Sequence, residues 1–334
     1  MTVIEIATTD MSIFHDEIVN TEVELDLVLS AKRLVAKGVV ILEFQRPDGA
    51  QLPPWSAGAH VELQLEGGFA RQYSLCSDPA DRTTWAVAVL REPESRGGSA
   101  YIHDTLQPGT IVQARGPRNN FPLAPAKSYK FVAGGIGVTP MLPMIRAAEH
   151  AGAQWTLLYG GRTLDSMAFC DELSEYGSRV TFHPQDTHGL LNLAGELADP
   201  AEGAQIYCCG PEPLLNAIEQ LCESTWPEGA LHVERFRHEA HDLEGAQPIE
   251  VELAQSGQTI TVPADRSILE VLIDNGIDID ASCEEGTCGT CEVVVLEGEP
   301  EHHDVVLTKS EKESCEMMMV CVSRAKGKCL KLDL

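Results

Sequence analysis

The sequence predicts a multidomain chain in which an antiparallel β-barrel precedes a doubly wound parallel α/β sheet and a smaller α+β domain. Three observations support this fold class. With 334 residues the chain is longer than one hydrophobic core usually supports. Its first part alternates β-rich runs with turn signals, and its middle part alternates strands with helical patterns. Its last part concentrates six of the 11 cysteines of the chain.

Residues 1–126 are predicted to form the barrel, after an N-terminal extension of about 20 residues. The predicted strands lie at residues 23–29, 38–46, 60–65, 72–75, 85–90 and 111–115. Turn-forming sequences such as Pro47-Asp48-Gly49 and Pro108-Gly109 separate them. Short strands at this spacing are typical of an antiparallel barrel.

Residues 127–236 are predicted to form the parallel sheet. Strands are expected at residues 129–133, 155–159, 179–183, 205–208 and 232–234, and helices at 141–151, 168–176 and 213–224. Such alternation of strand and helix is the signature of a doubly wound sheet.

Residues 237–247 form a charged stretch without apolar periodicity and are predicted to be a linker. Residues 248–334 then form the third domain. It is predicted to open with a hairpin, residues 249–253 and 258–262, and a helix, residues 267–275, that ends at Gly276.

Four cysteines of the third domain have the spacing of an iron–sulfur site. Cys283, Cys288 and Cys291 follow the pattern C-x4-C-x2-C, and Cys321 comes 30 positions later. This is the plant-type [2Fe–2S] arrangement, which predicts a β-grasp ferredoxin domain. A structural zinc site is the alternative, although zinc sites more often use paired C-x2-C units. Cys315 and Cys329 are alternative fourth ligands, but Cys321 lies in a more apolar run.

The composition excludes several classes of function. A net charge of −27 opposes binding to nucleic acid or to anionic membranes. No apolar run approaches the roughly 20 residues needed to span a bilayer, and the acidic N-terminus does not resemble a secretory signal. The odd cysteine count indicates reduced thiols rather than a disulfide framework. We therefore expect a cytoplasmic protein.

Two pairs of motifs predict ligand sites. Arg71-Gln72-Tyr73-Ser74 follows a barrel strand, and Arg96-Gly97-Gly98-Ser99 opens a predicted helix at residues 100–106, a combination suited to a phosphate. The glycine-rich segment 134–140 and Cys209-Gly210-Pro211 each join a strand to a helix, at the sheet edge where ligands bind. Each motif taken alone is weak evidence, and buried free cysteines such as Cys209 more often serve as small hydrophobic residues.

Taken in order, these motifs resemble the ferredoxin–NADP⁺ reductase superfamily. With a ferredoxin domain at the C-terminus and the Arg96–Ser99 motif, the chain resembles the phthalate dioxygenase reductase family, to which vanillate demethylase reductases also belong. The resemblance covers nearly all of the chain beyond its first 20 or so residues. It implies FMN rather than FAD, because in related enzymes that use FAD the ferredoxin domain is N-terminal.

The resemblance implies a role for each matching residue. The flavin would be held by Arg71, Tyr73 and Ser74, and its phosphate by Arg96, Gly97, Gly98 and Ser99. The nicotinamide nucleotide would be bound by Gly135, Gly137, Thr139, Cys209, Gly210 and Pro211. Glu234 and Phe236 would be the acidic and aromatic pair beside the isoalloxazine. The catalytic set would be Ser74, Thr139, Cys209 and Glu234, with Ser74 and Cys209 positioning the reactants rather than moving protons.

The resemblance therefore implies a reductase that passes electrons from NADH through FMN to the [2Fe–2S] cluster. The acceptor would be a terminal Rieske-type oxygenase acting on an aromatic acid or similar small molecule. NADH is favoured over NADPH because Asp165 and no basic cluster follow the second strand of the parallel sheet. The alternatives are a reductase for a haem monooxygenase, a ferredoxin-like carrier without reductase activity, and a redox or iron sensor.

Overall fold

The computed structural model describes residues 21–93, 97–236 and 247–334. The chain divides into two compact units, Met1–Glu234 and Arg235–Leu334. The predicted N-terminal extension, Arg96 and nearly all of the predicted linker lie outside the described residues. In the described part, no helix is long and apolar enough to cross a lipid bilayer.

The first sheet is the predicted antiparallel barrel. Its elements are β1 (Val23–Ala36), β2 (Val39–Gln45), β3 (His60–Leu65), β4 (Phe69–Ser74), β5 (Trp85–Leu90), α1 (Gly98–Asp104) and β6 (Ile111–Arg118). The strand order is β4-β3-β6-β1-β2-β5, and an antiparallel bridge between Leu75 and Val87 closes the sheet. Leu27, Trp55 and Trp85 are among the residues that fill its interior.

One strand of the barrel is twice as long as the sequence pattern predicted. The predicted strand 23–29 ended where polar residues begin, but β1 continues to Ala36. Up to Val28 it pairs with β6, and from Val28 onward it pairs with β2 through two irregularities in register. Pairing on one edge is enough to hold a polar segment in a strand, so hydrophobic alternation did not reveal it.

The second sheet is parallel. Its elements are β7 (Ser128–Gly134), α2 (Met141–His150), β8 (Gln154–Gly161), α3 (Cys170–Ser174), β9 (Val180–Pro184), α4 (Gln185–His188), α5 (Leu193–Glu196), β10 (Ala204–Cys209), α6 (Glu212–Thr225) and β11 (Leu231–Glu234). The order β11-β10-β7-β8-β9 brings the carboxyl ends of β7 and β10 side by side. The helix predicted at residues 168–176 is reduced to α3, because Phe169 has a left-handed φ of 63° and a new turn begins at Gly177.

The barrel and the parallel sheet share one hydrophobic core. Barrel residues such as Ile41 and Ala88 belong to the same buried cluster as Phe131, Val138 and Met144. The first unit therefore contains both sheets, and the glycine turn after β7 lies beside the barrel strand β5.

The second unit is a mixed sheet with a helix packed against one face, as the β-grasp prediction requires. Its elements are β12 (Ile249–Leu253), β13 (Thr259–Val262), α7 (Ile268–Asp274), β14 (Glu292–Glu297), β15 (Pro300–Glu301), α8 (Lys309–Ser314), β16 (Met317–Met319), β17 (Arg324–Ala325) and β18 (Cys329–Leu332). The main sheet has the order β13-β12-β18-β14-β16. Helix α7 starts as predicted, with Ser267 and Glu270 forming a capping box.

Candidate functional site

The four predicted cluster ligands lie together in the second unit. Cys283, Cys288 and Cys291 lie on the loop between α7 and β14, and Cys321 follows β16. Side-chain hydrogen bonds join Cys283 to Cys288 and Cys321, and Cys291 to Cys321. The four sulfurs are therefore connected in the order Cys288, Cys283, Cys321 and Cys291. Among the described residues, no group of three or more His, Cys, Asp or Glu side chains has the arrangement of a site for a single metal ion.

Backbone N–H groups point at two of these sulfurs. The amides of Glu285 and Thr287 donate to Cys283 Sγ at 3.3 and 3.5 Å. Cys288 Sγ accepts from the amide of Thr290 at 3.4 Å and from its hydroxyl at 3.1 Å. The pKa of Cys283 is held below its usual range, first by hydrogen bonds from Cys288 and Cys321 and further by the side chain of Thr287 and the amide of Glu285. A thiolate with such donors suits a cluster ligand.

The cysteine loop is held in shape by close packing against residues 304–307. Gly286 has a φ of +67°, and a Cβ there would lie 2.6 Å from Val322 Cγ2 and 3.1 Å from the Cα of Asp304. The carbonyl of Gly286 accepts the Val305 amide at 3.0 Å. Asp304 is itself buried, and its carboxylate accepts the amide of Leu307 at 2.8 Å. A side chain at residue 286 would be strained by the backbone conformation and crowded by Val322 and Asp304, which explains the glycine at this position.

The two alternative fourth ligands have other surroundings. Cys315 ends α8 with a left-handed φ of 57°, and its thiol donates to the carbonyl of Lys312 at 3.6 Å. Cys329 is exposed at the start of β18.

Apart from Phe236, the predicted flavin residues that the structure describes lie on β4 and at the start of α1. A Cβ on Gly98 would lie 2.8 Å from Arg71 Cγ, so the arginine side chain lies directly against the beginning of α1. Tyr73 packs on the barrel core, and burial raises the pKa of its phenol. Ser74 is 6% exposed, and no described residue hydrogen-bonds to its Oγ. A buried hydroxyl of this kind can bond a ligand.

Helix α1 is anchored from its other end. The ammonium of Lys32 on β1 donates to the carbonyls of Ile102, His103 and Leu106 at 2.6 to 2.9 Å. These are carbonyls of the last turn and just beyond, where a cation also complements the helix dipole. Gly97, at the start of α1, has a φ of +97°.

The glycine turn after β7 lies directly against the end of β10. A Cβ on Gly137 would lie 2.2 Å from the carbonyl oxygen of Cys209 and 2.8 Å from the amide nitrogen of Gly210. A Cβ on Gly134 would lie 2.6 Å from Pro211 Cδ. The two predicted nucleotide motifs therefore meet at the carboxyl edge of the sheet. Thr139, also in this turn, donates its hydroxyl to the carbonyl of Ile136 at 3.0 Å.

Cys209 and Glu234 form a buried pair. They are register partners on β10 and β11, and the glutamate carboxyl lies within hydrogen-bonding reach of the thiol. Burial raises the pKa of Glu234 to about 8 and raises that of Cys209 well above its usual value. Glu234 Oε2 has no partner in the part of the chain that the structure describes. The pair is thus a neutral acid and a neutral thiol near pH 7.

The structure also reveals a positioning residue that the motif search missed. Arg146 on α2 donates to the carbonyls of Cys76 and Ser77, each at 2.9 Å, and to the carboxylate of Glu172 at 2.5 Å. It therefore ties the barrel loop after β4 to the parallel-sheet domain. The sequence hints at this role only by placing an arginine within the apolar helix 141–150, and an arginine in such a helix can have many other roles.

Two further predicted residues are exposed. Asp165 lies in the turn after β8, accepts a hydrogen bond from Thr163, and has Lys37 Nζ 3.7 Å from its carboxylate. Phe236 follows β11 and is 38% exposed.

Two domain families match this chain. The 2Fe-2S iron-sulfur cluster binding domain family matches residues 251–326, and the oxidoreductase NAD-binding domain family matches residues 131–220. Two curated relatives match this chain over almost the whole of their own length. The vanillate O-demethylase oxidoreductase of Pseudomonas sp. strain HR199 is 40% identical over 93% of this chain and 100% of its own. The phthalate 4,5-dioxygenase oxygenase reductase subunit of Pseudomonas putida is 38% identical over 92% and 96%.

Two solved structures resemble the chain over most of its length. Phthalate dioxygenase reductase, described as a modular structure for electron transfer from pyridine nucleotides to [2Fe–2S], matches with a TM-score of 0.71 and 38% identity, over 93% of this chain and 98% of its own. An intact type IV self-sufficient cytochrome P450 monooxygenase matches with a TM-score of 0.85 and 44% identity. The match covers 93% of this chain but only 41% of the P450 chain.

Proposed function

The chain belongs to the phthalate dioxygenase reductase family, and from this membership we propose that it is the reductase component of an oxygenase system, passing electrons from NADH through FMN to a [2Fe–2S] cluster and on to an oxygenase. The pairing of the Cys209–Glu234 site with a four-cysteine loop in one chain is the observation that carries the proposal. A bound flavin supplies the chemistry of accepting two electrons together and releasing them singly.

We assign the flavin to the site formed by the end of β4 and the start of α1. Arg71, beside Gly98, supplies positive charge for the phosphate. Arg96, Gly97 and Ser99 are assigned to the same phosphate by family resemblance. Tyr73 gives an aromatic surface for the ring, and the Ser74 hydroxyl offers a hydrogen bond at its edge. Phe236 is assigned to the same ring by family resemblance alone.

The nicotinamide nucleotide is assigned to the carboxyl edge of the parallel sheet. Gly135 has open space beside it, where the dinucleotide approaches the backbone, and Gly137, Gly210 and Pro211 hold the turn after β7 against the end of β10. Thr139 keeps the turn in shape through its bond to Ile136. Cys209 and the protonated carboxyl of Glu234 present an uncharged, buried surface to the nicotinamide. Because neither side chain is charged, the nicotinamide can be bound beside them for hydride transfer without the cost of removing water from a charged group.

NADH is the proposed donor. The turn after β8 carries Asp165, whose charge opposes a 2′-phosphate, although Lys37 lies within 3.7 Å of it. Replacement of that aspartate is a direct test of the preference.

The acceptor is proposed to be a Rieske-type terminal oxygenase acting on an aromatic acid or a similar small molecule, in the cytoplasm. The names of the oxygenase-system relatives support this acceptor. A haem monooxygenase is the second candidate, because the self-sufficient P450 structure contains a segment 44% identical to this chain.

An anaerobic titration with NADH, followed by ultraviolet–visible absorption, tests the electron path. The purified protein should show flavin and [2Fe–2S] bands, and both sets should bleach as NADH is added. Cluster bands without flavin, or bands that NADH does not bleach, would refute the reductase and leave a ferredoxin-like carrier. A parallel titration with NADPH measures the preference for the donor.

A further inference from the structure

The main sheet of the second unit has one face packed on α7 and one face turned away from it. On β14, Val293 and Val295 point into the core that α7 helps to form, whereas Val294 and Leu296 alternate with them and are 45% and 48% exposed. In a strand with one buried face, the other face is usually polar. Two neighbouring exposed aliphatic side chains on this face therefore call for an explanation.

Strand register defines the surroundings of these two residues. Val294 pairs with Met317 on β16, and its carbonyl accepts the amide of Asp333, just past β18, at 3.1 Å. Across β18 and β12, Cys329 and Lys331 are the register partners of Glu250 and Glu252. We call this surface the outer sheet face; it consists of Glu250, Glu252, Glu292, Val294, Leu296, Glu297, Met317, Cys329, Lys331 and Asp333.

The outer sheet face is apolar at β14 and acidic around it. It carries five carboxylates and one ammonium. Lys331 lies 2.8 Å from the carboxylate of Glu252 and 4.0 Å from that of Glu297, so its charge is already matched. The remaining carboxylates give the face a net negative charge, in a segment that from His238 onward holds 21 Asp and Glu against 7 Lys and Arg.

The same strands lead directly to the cluster ligands. Cys291 is the residue before β14, and Cys321 comes two residues after β16. The backbone of Val320 also donates to the carbonyl of Cys291 at 3.2 Å. A partner seated on the outer sheet face would thus contact the two strands that hold half of the ligand set.

We propose that the outer sheet face docks the electron-accepting oxygenase subunit, through an apolar patch on that subunit rimmed by lysine and arginine. This inference rests on the proposed function and adds to it the chemistry and the place of the partner's contact. An apolar centre with a charged rim is the usual anatomy of a specific interface. Charge complementarity steers the encounter, and the central aliphatic contacts determine how long the complex lasts.

Cytochrome c, a basic protein with an exposed haem edge, is a probe for such a docking face. Val294→Lys adds a positive charge to the centre of the face and removes an aliphatic contact. Ile273→Lys is the matched control, because Ile273 is 52% exposed on α7, which packs on the opposite face of the sheet, and the variant has the same net charge. At low ionic strength we expect Val294→Lys to lower kcat/KM for NADH-driven reduction of cytochrome c about tenfold and Ile273→Lys to lower it less than twofold.

Equal losses in the two variants, or no loss in either, would overturn the docking face. Reduction of ferricyanide by NADH, measured in the same samples, reports on the flavin site and should be unchanged in both variants. If ferricyanide reduction is absent in the native protein as well, the proposed function fails and not the docking face.

Carbodiimide cross-linking of the native protein to cytochrome c tests the same face without any substitution. This reagent joins carboxylates to lysine amines that are in contact. Mass spectrometry should locate the cross-links at Glu250, Glu292 and Asp333. Cross-links concentrated instead at Glu270 and Asp274, which lie on α7, would place the contact on the opposite side and refute the proposal.

Discussion

At the scale of single residues, Glu234 is a carboxyl group that its environment keeps protonated at neutral pH, where an exposed glutamate is ionised. The residue as a whole is partly exposed on β11, but its Oε2 atom is buried and its carboxyl lies beside the fully buried thiol of Cys209 on β10. Burial raises the pKa of this carboxyl to about 8. An ionised carboxylate in that place would be costly, so the group keeps its proton through the neutral pH range. The sheet edge that we propose for the nicotinamide is thereby kept free of a negative charge.

Replacement of this carboxyl by an amide should change how stability depends on pH. The folded protein retains a proton on Glu234 that the unfolded chain, with a pKa near 4.5, releases. Stability should therefore fall as pH rises from about 4.5 to about 8, by up to about 1.4 kcal/mol per pH unit. Glu234→Gln cannot lose a proton, so its melting temperature should exceed that of the native protein by several degrees at pH 8 and by little at pH 5.

Glu175→Gln provides the control for that comparison, because Glu175 is exposed after α3. Its melting temperature should follow that of the native protein at every pH. A constant difference between Glu234→Gln and the native protein from pH 5 to pH 8 would show that Glu234 is ionised in the fold.

At the scale of elements, the nucleotide edge depends on two strand-to-helix turns that touch each other. The turn after β7 approaches the end of β10 so closely that residue 137 has no space for a side chain. The contact is between backbone atoms, which cannot move without shifting β10 and its Cys209. The glycine is thus required by packing.

Gly137→Ala should therefore impair the nucleotide site. The new methyl group would force the turn away from Cys209, at a cost of about 1–3 kcal/mol. We expect a lower melting temperature and a KM for NADH raised about tenfold. Flavin content should be unchanged, because the residues that we propose for the flavin lie on β4 and α1. Stopped-flow measurement of flavin reduction against NADH concentration would check this.

Gly160→Ala is the comparison variant on the neighbouring strand β8. A Cβ there would meet only the flexible side chain of Leu191, at 3.1 Å. It should bind NADH almost normally. If Gly137→Ala behaves like Gly160→Ala, the close approach of the two turns does not matter for nucleotide binding.

At the scale of the whole molecule, the chain separates hydride chemistry from single-electron delivery. The barrel and the parallel sheet share a core, and Arg146 ties one to the other by bonds to Cys76 and Ser77. The cysteine loop belongs to the second unit, which has a hydrophobic core of its own. A substitution that disrupts the cofactor site of one unit should therefore leave the cofactor of the other unit bound.

Cys321→Ala tests this separation together with the choice of the fourth ligand. It should abolish the [2Fe–2S] absorption bands and the reduction of cytochrome c, while flavin bands and NADH-driven reduction of ferricyanide persist. The second unit should also melt at lower temperature, because cluster binding contributes to its folding. Absorption spectra and differential scanning calorimetry measure these effects.

Cys315→Ala is the matched control, since this cysteine lies in the same unit and its thiol bonds only to a backbone carbonyl of α8 among the contacts described. It should keep the cluster. Loss of the cluster bands in Cys315→Ala, or their survival in Cys321→Ala, would show that the fourth ligand was wrongly assigned.

The sequence by itself determined the three kinds of sheet and the cysteine loop. Hydrophobic residues recur every two positions in a strand and every 3.6 in a helix when one side of the element is buried, so the sequence shows the type of each element. The spacing of the cysteines along one loop is also a local property of the sequence. Strands β3 and β5 were predicted to the residue for that reason. The long strand β1 was not, because its polar half is held by pairing with β2.

Only the tertiary structure decided how distant residues act on one another. Burial raises the pKa of Glu234 against the lowering effect of a hydrogen bond with Cys209, and neither the burial nor the neighbour is encoded near residue 234. Arg146 acquires its role only because the loop after β4 reaches α2. The outer sheet face exists only because register places Val294 beside Asp333. Contacts between residues far apart in sequence depend on the packing of whole elements, and local patterns carry no information about that packing.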